Sequence, residues 1–202
     1  MSLWRGKLPL ILASQSRARQ MLLSNAGIAF EAMPADIDER AVQQASRLSA
    51  PGEIAALLAR EKALAVSARH PGRLVVGADQ TLALGFTLFS KPADRAQAKE
   101  QLGSLAGHSH ELHSAVAVVR DGQILFETVA IARMTMRSLG QAEISAYLHE
   151  AGEAATSSVG AYQLESLGVH LFERIDGDHF TILGLPLLQL LAFLRSERLL
   201  AV

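Results

Sequence analysis

Cysteine is absent from the 202 residues, which excludes disulfides and any thiolate metal site and is compatible with a reducing compartment. Neither sign of charge dominates. Nineteen Lys and Arg against twenty Asp and Glu leave a formal net charge of −1, without the basic excess of a general nucleic-acid binder. A small anionic ligand needs only a local cluster of cations, so this balance leaves one open. The apolar run over residues 8–13 is too short for a signal-peptide core or a membrane span. No repeat, low-complexity tract or linker-like segment interrupts the chain. These absences lead us to expect one domain over residues 1–202, in the cytoplasm, with neither nucleic acid nor membrane as partner. Half of the residues are hydrophobic, which excludes a disordered chain.

Strand-like and helix-like segments alternate, and the pattern predicts an α/β fold with a mixed sheet flanked by helices. Strands are expected at 8–13, 28–34, 74–76, 111–120, 124–136, 169–175 and 179–183. Helices are expected at 16–26, 52–69, 93–105, 140–150 and after Gly184-Leu185-Pro186. The Asp121-Gly122 pair reads as a hairpin turn, and residues 152–160 read as a Gly/Ser-rich loop.

The stretch Leu12-Ala13-Ser14-Gln15-Ser16-Arg17-Ala18-Arg19 carries the sharpest chemical signal. An apolar run ends in two serines, and a helix follows with two arginines in its first turn. Cations there oppose the helix macrodipole, so the arrangement makes sense if an anion sits at the helix start. Backbone N–H groups, hydroxyls and guanidinium forks would hold a phosphate. The alternative is an ordinary N-cap at Ser16 with solvated arginines.

Asp79 follows Leu74-Val75-Val76-Gly77-Ala78, where a ligand can approach the small residues beyond a strand. The extended-looking sequence after it argues against a helix cap. In the helix over 52–69, Ile54, Leu57, Leu58 and Ala65 define the expected buried stripe. Glu61 falls on that stripe and Lys62 flanks it, as paired functional charges or as a rim carboxylate beside a snorkelling lysine. Lys91-Pro92 offers a second point charge for phosphate. The acidic run Asp36-Ile37-Asp38-Glu39 is either a solvated loop or a source of Mg²⁺ ligands. His108, His110 and His113 have poor spacing for one tetrahedral zinc site, which we do not expect.

The order of these signals is more specific than any one of them. Ser14-x-Ser16-x-x-Arg19, Arg60-Glu61-Lys62-Ala63, Gly77-Ala78-Asp79, Lys91-Pro92, Gly107-x-x-His110, Gly160-Ala161-Tyr162 and Gly184-Leu185-Pro186-Leu187 together resemble the Maf family of nucleoside triphosphate pyrophosphatases. The resemblance spans about Leu10 to Leu194. It implies an elongated α/β structure with a nucleotide-binding cleft, commonly homodimeric and cytoplasmic. It also implies Mg²⁺-dependent cleavage between the α- and β-phosphates, releasing a nucleoside monophosphate and pyrophosphate. The family is linked to nucleotide-pool cleaning and septum formation.

Carried onto this chain, the resemblance assigns Ser14, Ser16, Arg19, Lys62 and Lys91 to the phosphates. It assigns Asp79 to accept a proton from the attacking water or to hold the metal. Glu39 is the second metal carboxylate expected, with Glu61 behind it. Base discrimination falls on Ala18, Gln80 and Glu165. Gln80 and Glu165 look like the subgroup acting on 7-methyl-GTP, whereas that subgroup's aromatic residue is replaced by Ala18. Arg17 and Gln20 stand where the family usually has proline and a second arginine, and Ser90 stands where it has glycine. A non-enzymatic alternative is a nucleotide-binding regulator of division acting through a protein partner.

Overall fold

Short β-branched and leucine-rich runs set the order of the sheet. A computed structural model describes residues 3–202. Strands β1 (Leu10–Leu12), β2 (Phe30–Ala32), β3 (Val75–Leu84), β4 (Thr87–Phe89), β5 (Ser109–Arg120), β6 (Gln123–Met136) and β7 (Phe172–Asp176) form one sheet. Its order is β2-β1-β3-β5-β6-β7, with β4 paired to β3. The helices are α1 (Arg17–Asn25), α2 (Glu39–Ser46), α3 (Pro51–Ser67), α4 (Arg95–Leu105), α5 (Gln141–Ala151), α6 (Ala154–Ser157), α7 (His179–Ile182) and α8 (Leu187–Ser196). The mixed α/β class expected from the sequence is the one observed. No helix among the described residues is long and apolar enough to cross a membrane.

The chain divides into two compact units. The first takes the residues through Gln80, Ser114–Ala130 and Leu183–Val202. In it β1 pairs in parallel with β2 on one side (Ile11↔Glu31) and with β3 on the other (Ile11↔Val75). The chain therefore leaves β1 for one neighbour and returns to the other, which creates a switch point at the carboxyl end of β1, beside the first half of β3. Ile11, Ala13, Val75, Ala115, Ala117 and Val119 pack with Ala55, Ala59, Ala63 and Val66 of α3.

The second unit takes Thr81–His113 and Ile131–Ile182. Its core joins Leu82, Leu102, Leu105, Met134, Met136, Ile144 and Leu148 to the buried Tyr162.

Several boundaries differ from expectation. Strand β3 runs ten residues, so Asp79 lies inside it rather than at its end. Of the acidic run, Asp36, Ile37 and Asp38 are irregular, as the loop reading expects, but Asp38 accepts from the Ala41 N–H (3.0 Å) and caps an unexpected helix α2, which begins at Glu39. Residues 152–160 hold α6 and part of a 3₁₀ turn over Val159–Ala161. A 3₁₀ turn also occupies Leu167–Leu171, leaving only Phe172–Asp176 as strand. The segment expected as a strand at 179–183 is α7, because Asp178 accepts from the Thr181 N–H (2.9 Å) and caps a helical turn. The Asp121-Gly122 hairpin is as expected, with φ of +49° and +75° as a type I′ turn requires.

The buried stripe of α3 also differs. Ile54, Ala55, Leu58, Ala59, Lys62, Ala63, Val66 and Ser67 are buried, while Leu57, Glu61 and Ala65 are only partly so. Ile54 and Leu58 are buried as expected, and Ala55, Ala59 and Ala63 complete the face where α3 lies directly on β3. A Cβ added at Gly77 would stand 2.1 Å from the Ala59 carbonyl oxygen and 2.8 Å from the Ala63 nitrogen. Helix and strand thus touch backbone to backbone. Gly77→Ala is expected to push them apart and destabilise the protein by about 3 kcal/mol, the upper end for overpacking. Urea unfolding of the purified variant measures this, and an unchanged midpoint contradicts the close packing.

Candidate active site

The groups that come together in the first unit are a helix start, two carboxylates and two cations. Ser16 is the N-cap of α1: its Oγ accepts from the Arg19 N–H at 3.4 Å. Ser14, almost fully buried, accepts from the Ser16 N–H at 3.2 Å. The serines therefore hold the loop between β1 and α1. The N–H groups of Arg17 and Ala18 are the remaining first-turn donors, and no acidic side chain occupies that turn.

The two arginines part company. Arg17 is exposed, as a solvated cation would be. Arg19 turns inward. Its Nε donates to the Gly184 carbonyl (2.7 Å), and its Nη1 donates to the Ala78 carbonyl (2.9 Å) and to Ser14 Oγ (3.3 Å). Three donors fix the plane of the guanidinium. No acceptor faces Nη2 among the described residues, which leaves that edge of the fork for an anion. Burial pulls Arg19 below its usual pKa, against the opposing effects of Asp79 and Glu39. Gly184, at φ +87°, brings its backbone against this side chain: a Cβ there would meet Nη2 at 3.2 Å.

Lys62 and Asp79 form a buried ion pair, with Nζ donating to Oδ1 at 2.6 Å. The same ammonium lies 2.8 Å from Glu39 Oε1, whose side chain is 52% exposed. One cation thus joins an inner carboxylate to an outer one. Burial raises the Asp79 carboxyl above the ordinary carboxylate range. The Lys62 ammonium and the Arg19 guanidinium, both lowering it, offset that only in part. A raised carboxyl is a better proton acceptor when ionised.

The other expected residues fall as follows. Ala18 is half-buried on α1. Gln80, next to Asp79 on β3, donates from Nε2 to Ser114 Oγ at 2.8 Å. Glu61 is not on the buried face and forms none of these contacts; the buried charge is Lys62. Lys91 and Glu165 belong to the second unit, where both are exposed, Glu165 on a turn over residues 164–166.

The histidines make no zinc centre. His108 Nδ1 lies 2.9 Å from the Ala106 carbonyl, His110 meets Tyr162, and His113 meets Glu111. Sequence reasoning did not find the carbonyls of Ala78 and Gly184, which orient Arg19. Their only signal was the motif order that placed Gly77-Ala78-Asp79 and Gly184-Leu185-Pro186 alongside the serines.

Removing Lys62 strands a buried carboxylate. Lys62→Met is expected to destabilise the protein by about 3–5 kcal/mol. Adding Asp79→Asn should recover most of that loss, because the lone charge is gone. A double-mutant cycle by urea unfolding tests it; additive losses contradict a coupled buried pair.

Comparison with known proteins places this geometry in a lineage. Residues 9–197 match the family described as Maf-like protein. The chain is 71% identical over its full length, and the relative's full length, to a nucleoside triphosphate pyrophosphatase of Bradyrhizobium diazoefficiens. It is equally similar, with the same coverage, to one of Rhodopseudomonas palustris. It is 52% identical to a 7-methyl-GTP pyrophosphatase of Brucella abortus, covering 94% of this chain and 96% of that one. With the serine loop, the inward arginine and the lysine-bridged carboxylates on one unit, and a match along nearly its whole length, the chain belongs to the Maf family.

Proposed function

We propose that this chain hydrolyses nucleoside triphosphates between the α- and β-phosphates, releasing a nucleoside monophosphate and pyrophosphate. The observation that carries the reading is the Lys62-bridged pair of Asp79 and Glu39 beside the helix start held by Ser14, Ser16 and Arg19. The names of the relatives support it.

Hydrolysis of a triphosphate is mostly a matter of positioning and charge neutralisation. The first-turn N–H groups of α1 and the open edge of Arg19 receive phosphate oxygens, and Lys62 adds positive charge. Asp79 takes the proton of the attacking water.

Asp79 and Glu39 are hard oxygen donors and suit a hard divalent cation, which we take to be Mg²⁺. Asp79 and Glu39, both on the Lys62 ammonium, are the residues that would hold it. Such a cation supplies neutralisation of the triphosphate's charge.

With Mg²⁺ and a panel of nucleoside triphosphates, the products are expected to be monophosphate and pyrophosphate; orthophosphate and diphosphate contradict the bond assigned. Asp79→Asn should lower turnover by about 10²–10⁴-fold while the protein stays folded. Because the Asp79 carboxyl is raised, kcat/KM should fall as pH drops through a value above the ordinary carboxylate range. An acid limb at or below about 3.9 removes Asp79 as the base.

For the base we propose guanine, with 7-methyl-GTP the leading candidate. Guanine presents N1–H and the N2 amine side by side, and a carboxylate such as Glu165 accepts both. A 7-methylated guanine also carries positive charge, which favours a carboxylate. The Brucella abortus relative is named for that substrate. Glu165→Gln should shift preference toward UTP and dTTP, read as kcat/KM for GTP, 7-methyl-GTP, UTP and dTTP. A wild-type preference for UTP or dTTP overturns the base assignment alone.

A further inference from the structure

The second unit contains a buried polar pair that the chemistry above does not use. His110, on β5, is 1% exposed, and its Nε2 shares a 2.7 Å hydrogen bond with the Tyr162 hydroxyl. The two rings and Phe172 form a cluster, with Tyr162 edge-on to Phe172 at 4.8 Å. Burial pushes the His110 imidazole down to about 4, so the ring is neutral at physiological pH. Its Nδ1 is buried and has no partner among the described residues. In either tautomer one buried donor or acceptor is therefore unmet, which disfavours the folded state. Two phenylalanines would fill these positions without that cost. The pair is not there for stability alone.

What it holds is the segment that carries Glu165. Gly160 (φ +78°) and Ala161 (φ +62°) are consecutive left-handed residues, an unfavourable conformation for alanine. The segment is fastened immediately after them. Tyr147 donates to the Ala161 carbonyl at 3.2 Å, and Tyr162 is locked to His110. Three residues after Tyr162 comes Glu165, on a turn that closes on one carbonyl: Ser166 N and Gly168 N both donate to Gln163 O, at 3.2 and 3.1 Å. Gly168 has no room for a side chain, since a Cβ would stand 2.4 Å from that oxygen. The turn is closed on itself; Leu164 packs against the core, Gln163 Nε2 donates to Ser157 Oγ (2.8 Å), and the fully buried polar attachment on the upstream side is Tyr162.

We propose that the His110–Tyr162 hydrogen bond sets the position of the Glu165 turn and is thereby a determinant of base selection. His110 and Tyr162 are positioning residues that act through the Glu165 carboxylate. The proposal rests on the reading of Glu165 as the residue that contacts the base. A one-ångström displacement of such a carboxylate weakens both of its hydrogen bonds to the guanine edge while leaving the phosphate contacts intact.

The test compares wild type, Tyr162→Phe, the double variant His110→Phe/Tyr162→Phe, and Glu165→Gln in the full-length protein. Each is assayed for kcat/KM with GTP, 7-methyl-GTP and UTP and for thermal unfolding. Tyr162→Phe should lower the guanine-to-uracil ratio by about tenfold, mainly through KM for the guanine nucleotides, with UTP turnover nearly unchanged. The double variant should regain the wild-type Tm or exceed it, yet keep the lowered ratio. A ratio that returns with Tm, or that stays at the wild-type value in both folded variants while Glu165→Gln shifts it, overturns the positioning role and leaves the base reading standing. If Glu165→Gln leaves the ratio unchanged, the base reading falls and this proposal falls with it.

Discussion

The backbone contact between α3 and β3 at Gly77 is the constraint on which the candidate site depends. Only a glycine admits the Ala59 carbonyl and the Ala63 nitrogen so near. That approach puts Lys62, one residue before Ala63, beside Asp79, two residues after Gly77. A buried ion pair is weak evidence for stability, because desolvation offsets its attraction. Its value here is positional. The ammonium is a point charge with three donors, and it meets the inner Asp79 and the outer Glu39 together. A guanidinium would impose a planar fork on the same two carboxylates.

Around this pair the polar groups divide into those that hold and those that remain available. Ser14 and Ser16 accept from backbone N–H groups and are committed to the loop. Arg19 spends three donors on Ser14, Ala78 and Gly184 and keeps one edge of its fork. Pre-organisation of this kind lowers the reorganisation needed when an anion binds, since the cation is already oriented.

The parts of the fold governed by local chemistry were legible in the sequence. Ser16 as a cap, Asp121-Gly122 as a hairpin and the helix after Pro186 all follow from residues within a few positions of one another. Where tertiary packing decides, the reading failed. On α3 the reading found Ile54 and Leu58 but also took in Leu57 and Ala65, because periodicity counts bulk while Ala55, Ala59 and Ala63 complete the buried face and let backbones touch. Asp38 and Asp178 looked like loop residues, yet each caps a short helix that hydrophobic periodicity is too coarse to detect. The residues gathered beyond the carboxyl end of β1 and along the middle of β3 were legible through motif order. The carbonyls that aim Arg19 were not, since a main-chain oxygen carries no sequence signal.

The span between Arg19 and Gly184 has a consequence for the order in which the protein is made. The guanidinium and its best acceptor are 165 residues apart. A bacterial ribosome adds about 5–20 residues per second, so on the order of ten seconds separates their synthesis. During that interval Ser14 and Ala78 are the only partners Arg19 has. The last residues of the chain return to its beginning as well, with Arg5 N donating to the Leu199 carbonyl and Ala201 N to the Leu3 carbonyl. A nascent chain that has not yet made Gly184 therefore holds both carboxylates and the lysine but an arginine without its shortest hydrogen bond. The aiming of Arg19 thus waits on the segment between α7 and α8, long after the rest of the anion site has been made.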